Sequence, residues 1–367
     1  MGKRQRSVED LVMFNFLRNK RVLITGHTGF KGSWLSAWLL KLGAEVTGYA
    51  LPPLTDEDHF VQLGLANRMR HIEGDLLDLP KLTAAFRDAR PEIVFHLAAQ
   101  ALVRRSYLEP KLTFDTNVTG GVNLLEAIRA TPEVRALVFV TSDKCYRNHE
   151  WVWGYRESDE LGGDDPYSAS KAAAELVFRS YAASFFSKRE NFAAATARAG
   201  NVIGGGDFAA DRIVPDCIRA LRTNQPIIIR SPEATRPWQH VLEPLSGYLR
   251  LAQALFGADG RKFEGGWNFG PLKDSNRSVR ELVERVIAGW GEGEMKIERP
   301  VNAPHESRLL HLNCDKAHGE LDWSPTWHFA EGVDETTRWY RETAKGGDVW
   351  ALTNAQIAAY EKAFVKA

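Results

Sequence analysis

A serine, a tyrosine and a lysine in this chain are spaced to move a proton and a hydride together. Ser142 follows the apolar run Ala136-Leu-Val-Phe-Val-Thr141, and Tyr167-Ser-Ala-Ser-Lys171 lies further along. Tyr and Lys four apart on a helix share one face. An ammonium beside a phenol favours the phenolate, so Lys171 is expected to lower the Tyr167 pKa. A phenolate can take the proton of a hydroxyl as hydride leaves the same carbon. Asp143 and Lys144 follow Ser142 directly. An extra acid and an extra amine at such a site point beyond plain oxidation. Successive strand residues face opposite ways, so the two can share a pocket only if the strand has ended before them.

These residues need a rigid frame. Strands are expected over Arg21–Thr25, Glu45–Tyr49, His71–Ile72, Glu92–Leu97 and Ala136–Thr141. Helices are expected over Lys31–Leu42, Pro80–Ala89, Thr116–Ala130, Val241–Leu255 and most of Trp339–Lys366. Short apolar strands alternating with helices mean a parallel sheet covered on both faces. Ligands then lie at the carboxyl ends of the strands. Asp164-Asp-Pro166 is expected to start the helix that carries Tyr167 and Lys171. After about residue 200 glycines and prolines become frequent, which suggests a smaller irregular lobe.

Gly26-His-Thr-Gly29-Phe-Lys-Gly32 follows the first strand and opens a helix. Glycines let backbone approach a pyrophosphate closely, and the helix N-terminus offers free N–H groups. The second strand ends at Tyr49-Ala50-Leu51, without the acid that often holds a ribose. No Arg or Lys stands there for a 2′-phosphate either, which favours NAD over NADP. Asp75-Leu76 suits an adenine edge.

The chain has 367 residues, 44% hydrophobic and 26% charged, with 47 basic and 47 acidic residues. That balance favours neither a nucleic-acid nor a membrane partner. Cys145, Cys217 and Cys314 are odd in number and far apart, which argues against a disulfide framework or a zinc site and fits a reducing cytoplasm. No metal is expected. The basic start, Met1-Gly-Lys-Arg-Gln-Arg6, lacks the apolar core of a signal peptide.

In order along the chain, Thr25–Gly32, Asp75-Leu76, His96-Leu-Ala-Ala-Gln100, Asn117-Val118, Thr141-Ser142 and Tyr167–Lys171 resemble the extended short-chain dehydrogenase/reductase family. The resemblance covers roughly residues 20 to 200. It implies a Rossmann-type doubly wound parallel sheet, a tightly bound and recycled NAD, and a nucleotide-sugar substrate held by a smaller C-terminal α/β lobe. The expected division is an arm over 1–18, an NAD domain over 19–203 with 238–268 returning to it, and a substrate lobe from 204–237 and 269–367. Cofactor contacts are implied for Gly26, Thr28, Gly29, Phe30, Lys31 and Gly32 of the turn. Asp75 and Leu76, then Leu97, Ala98, Ala99 and Gln100, and then Asn117, Thr141, Tyr167 and Lys171 complete that set. Ser142, Asn201, Arg236, Asn268, His305 and Arg308 are the implied substrate contacts. A dimer through the helices carrying Asn117 and Tyr167 is the default, with higher states open.

Within that family the nucleotide-sugar 4,6-dehydratases carry two extra groups after the Ser or Thr, commonly Asp-Glu. By this resemblance Asp143 protonates a departing C6 hydroxyl, and a base takes the C5 proton. Lys144 stands where the usual Glu would, and whether it or another group is that base stays open. Ser-Asp-Lys-Cys-Tyr146, Phe30-Lys-Gly-Ser-Trp34 and Arg236–Pro244 resemble the members acting on CDP-glucose, which implies work on bacterial surface deoxysugars. An epimerase or reductase of the same fold, or a non-catalytic nucleotide sensor, are the rival readings. Asp143-Lys144 speaks against the first and an intact Tyr-Lys pair against the second.

Overall fold

A computed structural model of the chain describes residues 14–298 and 310–364. Runs of four to six residues form its main sheet, and the central ones are apolar because they are buried on both faces. These are β1 (Arg21–Thr25), β2 (Glu45–Ala50), β3 (Arg70–Glu73), β4 (Ile93–His96), β5 (Ala136–Val140), β6 (Ala193–Arg198) and β11 (Gly265–Asn268). Every pairing is parallel, in the order β11-β6-β5-β4-β1-β2-β3. This is the Rossmann-type sheet with a seventh strand beside β6. Strand order reverses between β1 and β4, so their carboxyl ends open the crevice.

Two cores cover the sheet. Val22, Ile24, Ile93, Phe95 and Val138 pack on one face with Trp34, Trp38 and Leu249. Leu23, Val94 and Leu137 pack on the other with Phe86, Leu124, Ile128 and Phe178. The alternation is the period of two that strand geometry imposes. Each such large side chain contributes about 1.5–3 kcal/mol by leaving water. The three cysteines are buried free thiols.

Two helices differ from expectation. Thr116–Ala130 is a widened π turn over Asp115–Thr119 and then an α-helix over Gly120–Arg129. The Asn117 side chain turns inward there, and single π turns commonly mark functional positions. Trp339 to Lys366 is divided between Phe329–Ala344 and Val349–Phe364, interrupted at Gly346-Gly347.

Three short strand pairs lie outside this sheet. β7 (Val202–Ile203) pairs with β10 (Gln239–His240), β9 (Thr235–Pro237) with β12 (Asn276–Ser278), and β8 (Ile227–Ile229) with β13 (Met295–Ile297). Among the described residues no helix is long and apolar enough to cross a membrane.

Candidate active site

β5 ends at Val140, before the acid and amine. Ser142 is extended and caps a 3-10 turn over Asp143–Cys145, its Oγ accepting from the Lys144 N–H at 3.2 Å. On such a turn, adjacent side chains need not alternate across a sheet. Asp143 is buried, and the Ser142 hydroxyl donates to its Oδ1 at 2.9 Å. Lys144 is half-buried. A Cβ at Gly200 would stand 1.9 Å from Asp143 Oδ2, so this carboxylate rests directly on glycine backbone.

The helix Pro166–Ser184 begins as its sequence implies. Asp165 accepts from the Ser168 N–H at 2.9 Å, and Pro166 fills the first turn. Tyr167 and Lys171 are both buried. The Tyr167 pKa departs from expectation. Burial pushes it up to about 12, while a hydrogen bond with Ser142 and the charge of Arg212 pull it back. Lys171 is not among the main causes. Burial lowers its own pKa to about 8, opposed by the neighbouring Cys145 and Glu175. Its ammonium is 6.0 Å from the centre of the Tyr167 ring.

Arg212 therefore supplies the positive field assigned above to Lys171. It is paired with Asp207 at 2.8 Å and sits just before the helix Ile213–Arg222. Lys31 shares this pocket. Burial and Arg212 lower its pKa to about 8, and the charge of Asp143 opposes them. The sequence placed Lys31 with the phosphates, whereas its ammonium also feels the charge of Asp143.

Asn117 and Gln100 use their side chains as braces. Asn117 Oδ1 accepts from the Gln100 N–H at 2.8 Å, and its Nδ2 donates to Ser170 Oγ at 2.9 Å. Gln100 Nε2 donates to Leu102 O and Thr113 Oγ1. They tie the β4 loop to the Tyr167 helix. Asn268 is spent in the same way. Its Oδ1 accepts from the Tyr146 hydroxyl, and its Nδ2 donates to Tyr155 O and Asn313 O. Asn201 is half-buried with a left-handed φ of 51°, and its carbonyl accepts from the Gln239 N–H. Arg236 lies on β9 and donates to Thr235 O at 2.8 Å. His305 and Arg308 fall outside the described residues.

Glu175 was missed, although it lies one helical turn past Lys171. It accepts from Thr141 Oγ1 at 2.6 Å, from Thr196 Oγ1 at 2.8 Å and from Arg198 through both carboxylate oxygens. Thr141, expected at the cofactor, thus spends its hydroxyl on the core.

The glycine turn fits a dinucleotide phosphate. Gly26 has φ +77°, and a Cβ there would meet the Ala98 nitrogen at 2.6 Å. A Cβ at Gly32 would meet Gly26 O at 2.1 Å. Gly29 caps the helix Phe30–Lys41 without a side chain, which leaves its first N–H groups for an anion. Thr28 Oγ1 donates to Leu51 O at 2.9 Å and fixes the turn to the end of β2. Leu97, Ala98 and Ala99 are half-buried at the end of β4. The exposed Asp75 accepts from the Leu77 N–H, and Leu76 is buried.

The sequence pattern of GDP-mannose 4,6 dehydratase matches residues 23–336. The CDP-glucose 4,6-dehydratase of Salmonella typhimurium is 46% identical over 353 residues, which is 95% of this chain and 98% of that protein. The human dTDP-D-glucose 4,6-dehydratase is 26% identical over 88% of this chain and 90% of its own. The solved UDP-glucose 4-epimerase of Thermus thermophilus, in complex with NAD, superposes with a TM-score of 0.72. It is 27% identical, and the match covers 87% of this chain and 98% of that one. By sequence, fold and the placement of its Ser, Tyr and Lys, this chain belongs to the GDP-mannose 4,6 dehydratase family.

Proposed function

We propose that this chain is an NAD-dependent hydro-lyase that converts CDP-D-glucose to CDP-4-keto-6-deoxy-D-glucose and water. One observation carries the reading. Ser142 donates to the buried Asp143 carboxyl at 2.9 Å and also acts on the buried Tyr167 phenol, so a C4 proton acceptor and an acid for C6 stand beside one serine. An epimerase has no use for the acid. The 46% identity to a CDP-glucose enzyme supports the nucleotide.

The Gly26–Gly32 turn and Leu97–Ala99 would hold NAD, which when bound would supply the hydride acceptor for C4 and the hydride donor for C6. Tyr167 accepts the C4 hydroxyl proton while Ser142 holds that oxygen. The ketone acidifies the C5 proton, which a base removes. Asp143 protonates the C6 hydroxyl as the C6–O bond breaks and water leaves. Lys144 is our candidate for the C5 base, since it shares the turn with Asp143. Asn201, Arg236, His305 and Arg308 are our candidates for holding the nucleotide sugar.

Incubation with CDP-glucose in deuterated water should yield a product lighter by one water and carrying one solvent deuteron at C5. Asp143→Asn should still show transient reduced cofactor but slow the elimination by about a hundredfold or more. Product of unchanged mass would refute the dehydratase reading. Equal turnover of the dTDP and UDP sugars would remove the CDP assignment.

The chain should also form a homodimer. Leu108, Phe114 and Leu176 are exposed apolar side chains on the helices Val103–Leu108, Pro110–Phe114 and Pro166–Ser184. Sedimentation should give twice the chain mass, falling to the monomer for Leu176→Glu. A dimer that survives this change would move the interface elsewhere.

A further inference from the structure

β5 and β6 run side by side to their carboxyl ends. Val140 stands opposite Ala197, and the Thr141 N–H donates to Ala197 O at 2.9 Å. Asp143 follows shortly after one strand and Gly200 shortly after the other. The sheet ladder therefore sets the approach between these two residues.

The Asp143 carboxyl fills the space that a side chain at position 200 would take. A Cβ at Gly200 would meet Asp143 Oδ2 at 1.9 Å, Cγ at 2.2 Å and Oδ1 at 2.4 Å, its three nearest neighbours. The Gly200 φ lies outside the left-handed region, so backbone conformation does not demand a glycine. What the position demands is room for that carboxyl. Gly26 and Gly32 differ, because a Cβ at either would strike backbone. At Gly200 it would strike the end of one side chain, which can turn aside while the chain still folds. Ser142 holds Asp143 Oδ1 at 2.9 Å, so Gly200 decides where Oδ2 stands.

Gln239 fastens this seat. Its backbone N–H donates to Asn201 O at 3.2 Å, and its Nε2 donates to Gly200 O at 3.0 Å and Phe269 O at 3.1 Å. Gln239 is itself buried and is paired in β10 with Val202 of β7. Two consecutive carbonyls are thus tied to one residue, which keeps the Gly200 backbone from retreating from the acid.

We propose that Gly200 is a positioning residue for the elimination step, its bare α-carbon, fastened by Gln239, admitting the Asp143 carboxyl to the place from which it protonates the departing C6 hydroxyl. This rests on the dehydratase reading above. In that step the proton passes from the Asp143 carboxyl to the C6 oxygen, the C6–O bond breaks, and water leaves. A misplacement of about 1 Å can slow such a step about a hundredfold. C4 oxidation relies on Ser142 and Tyr167 and does not draw on the acid's proton.

The test is Gly200→Ala, which adds one methyl group at the seat. Holoenzyme is mixed rapidly with CDP-glucose, and reduced cofactor and keto product are followed together. Reduced cofactor should form near the wild-type rate but persist, with elimination slowed about 10- to 100-fold. The same change made in Asp143→Ala, where the methyl group has room, should cost nothing further in elimination rate or Tm. Gln239→Leu should show the selective loss in milder form, and it decides the matter if Gly200→Ala does not fold. Oxidation and elimination slowed alike, or a further loss in the Asp143→Ala background, would mean a structural role and overturn the proposal. Unaltered elimination beside an active wild type overturns this proposal alone. A wild-type protein that makes no product overturns the function and this proposal together.

Discussion

Tyr167→Phe should lower kcat by about a hundred- to ten-thousand-fold while leaving nucleotide-sugar binding nearly intact. The side chain is 7% exposed, and phenylalanine retains its packing. Only the hydroxyl that meets Ser142 is lost. No reduced cofactor should appear after rapid mixing with CDP-glucose, because the C4 proton has no acceptor. This behaviour separates Tyr167 from Asp143, whose loss should allow oxidation and block elimination. The electrostatics add a pH signature. Burial raises the Tyr167 pKa to about 12, and Arg212 is the positive charge that opposes it. Arg212→Met should therefore push the Tyr167 pKa higher and move the rising limb of the oxidation rate toward higher pH. Lys171→Met should not reproduce that displacement through charge alone, since Lys171 is not among the main influences on Tyr167. A Tyr167→Phe protein within about threefold of wild-type turnover would mean that another group takes the C4 proton.

The nucleotide-binding half of the fold was readable because its signals are local. β1 and β5 are short apolar runs, and Asp165-Pro166 starts the Tyr167 helix where the cap chemistry says it must. The glycine turn was equally plain, since Gly26 and Gly32 are demanded by contacts within the turn and its neighbouring strand end. What escaped the sequence was set by distant residues. Nothing near Arg212 says that its guanidinium faces Tyr167. Nothing near Gln239 says that its amide will bind Gly200 O beneath Asp143. The expected effect of Lys171 on Tyr167 failed for a related reason. Four-residue spacing puts both on one helical face but does not fix where a long side chain ends, and here the charge of Glu175 acts on the lysine. Asn268 shows the opposite error. The family resemblance implied it as a substrate contact, yet its amide is bonded to Tyr146, Tyr155 and Asn313.

Glu175→Ala should destabilise the protein by about 3–5 kcal/mol, the usual cost of stranding one partner of a buried ion pair. The Arg198 and Glu175 side chains are 3% and 1% exposed, so water cannot replace the lost carboxylate. Arg198 would keep its bonds to Tyr146 and Glu157 O but lose both contacts to Glu175. Replacing both partners with methionine should recover much of the loss, because neither charge then remains buried. The pH dependence has a defined sign. Burial raises the Glu175 pKa, but the hydrogen bond and charge of Arg198, with Thr141 and Thr196, outweigh it and hold it below the ordinary 4.5. Its stabilisation is thus present above pH 4.5 and is lost as pH falls through the lowered folded value. Urea unfolding should show the widest gap between wild type and Glu175→Ala at neutral pH, closing in strong acid. A neutral-pH difference below about 1 kcal/mol would mean that the pair adds little. Activity should fall with stability. Thr141 precedes Ser142, and Lys171 lies one turn before Glu175 on the same helix. The ion pair therefore holds the strand end and helix face that bring Ser142, Asp143, Tyr167 and Lys171 together, and loosening it should slow oxidation and elimination alike. That common slowing is what separates Glu175 from Asp143, whose replacement should affect elimination alone.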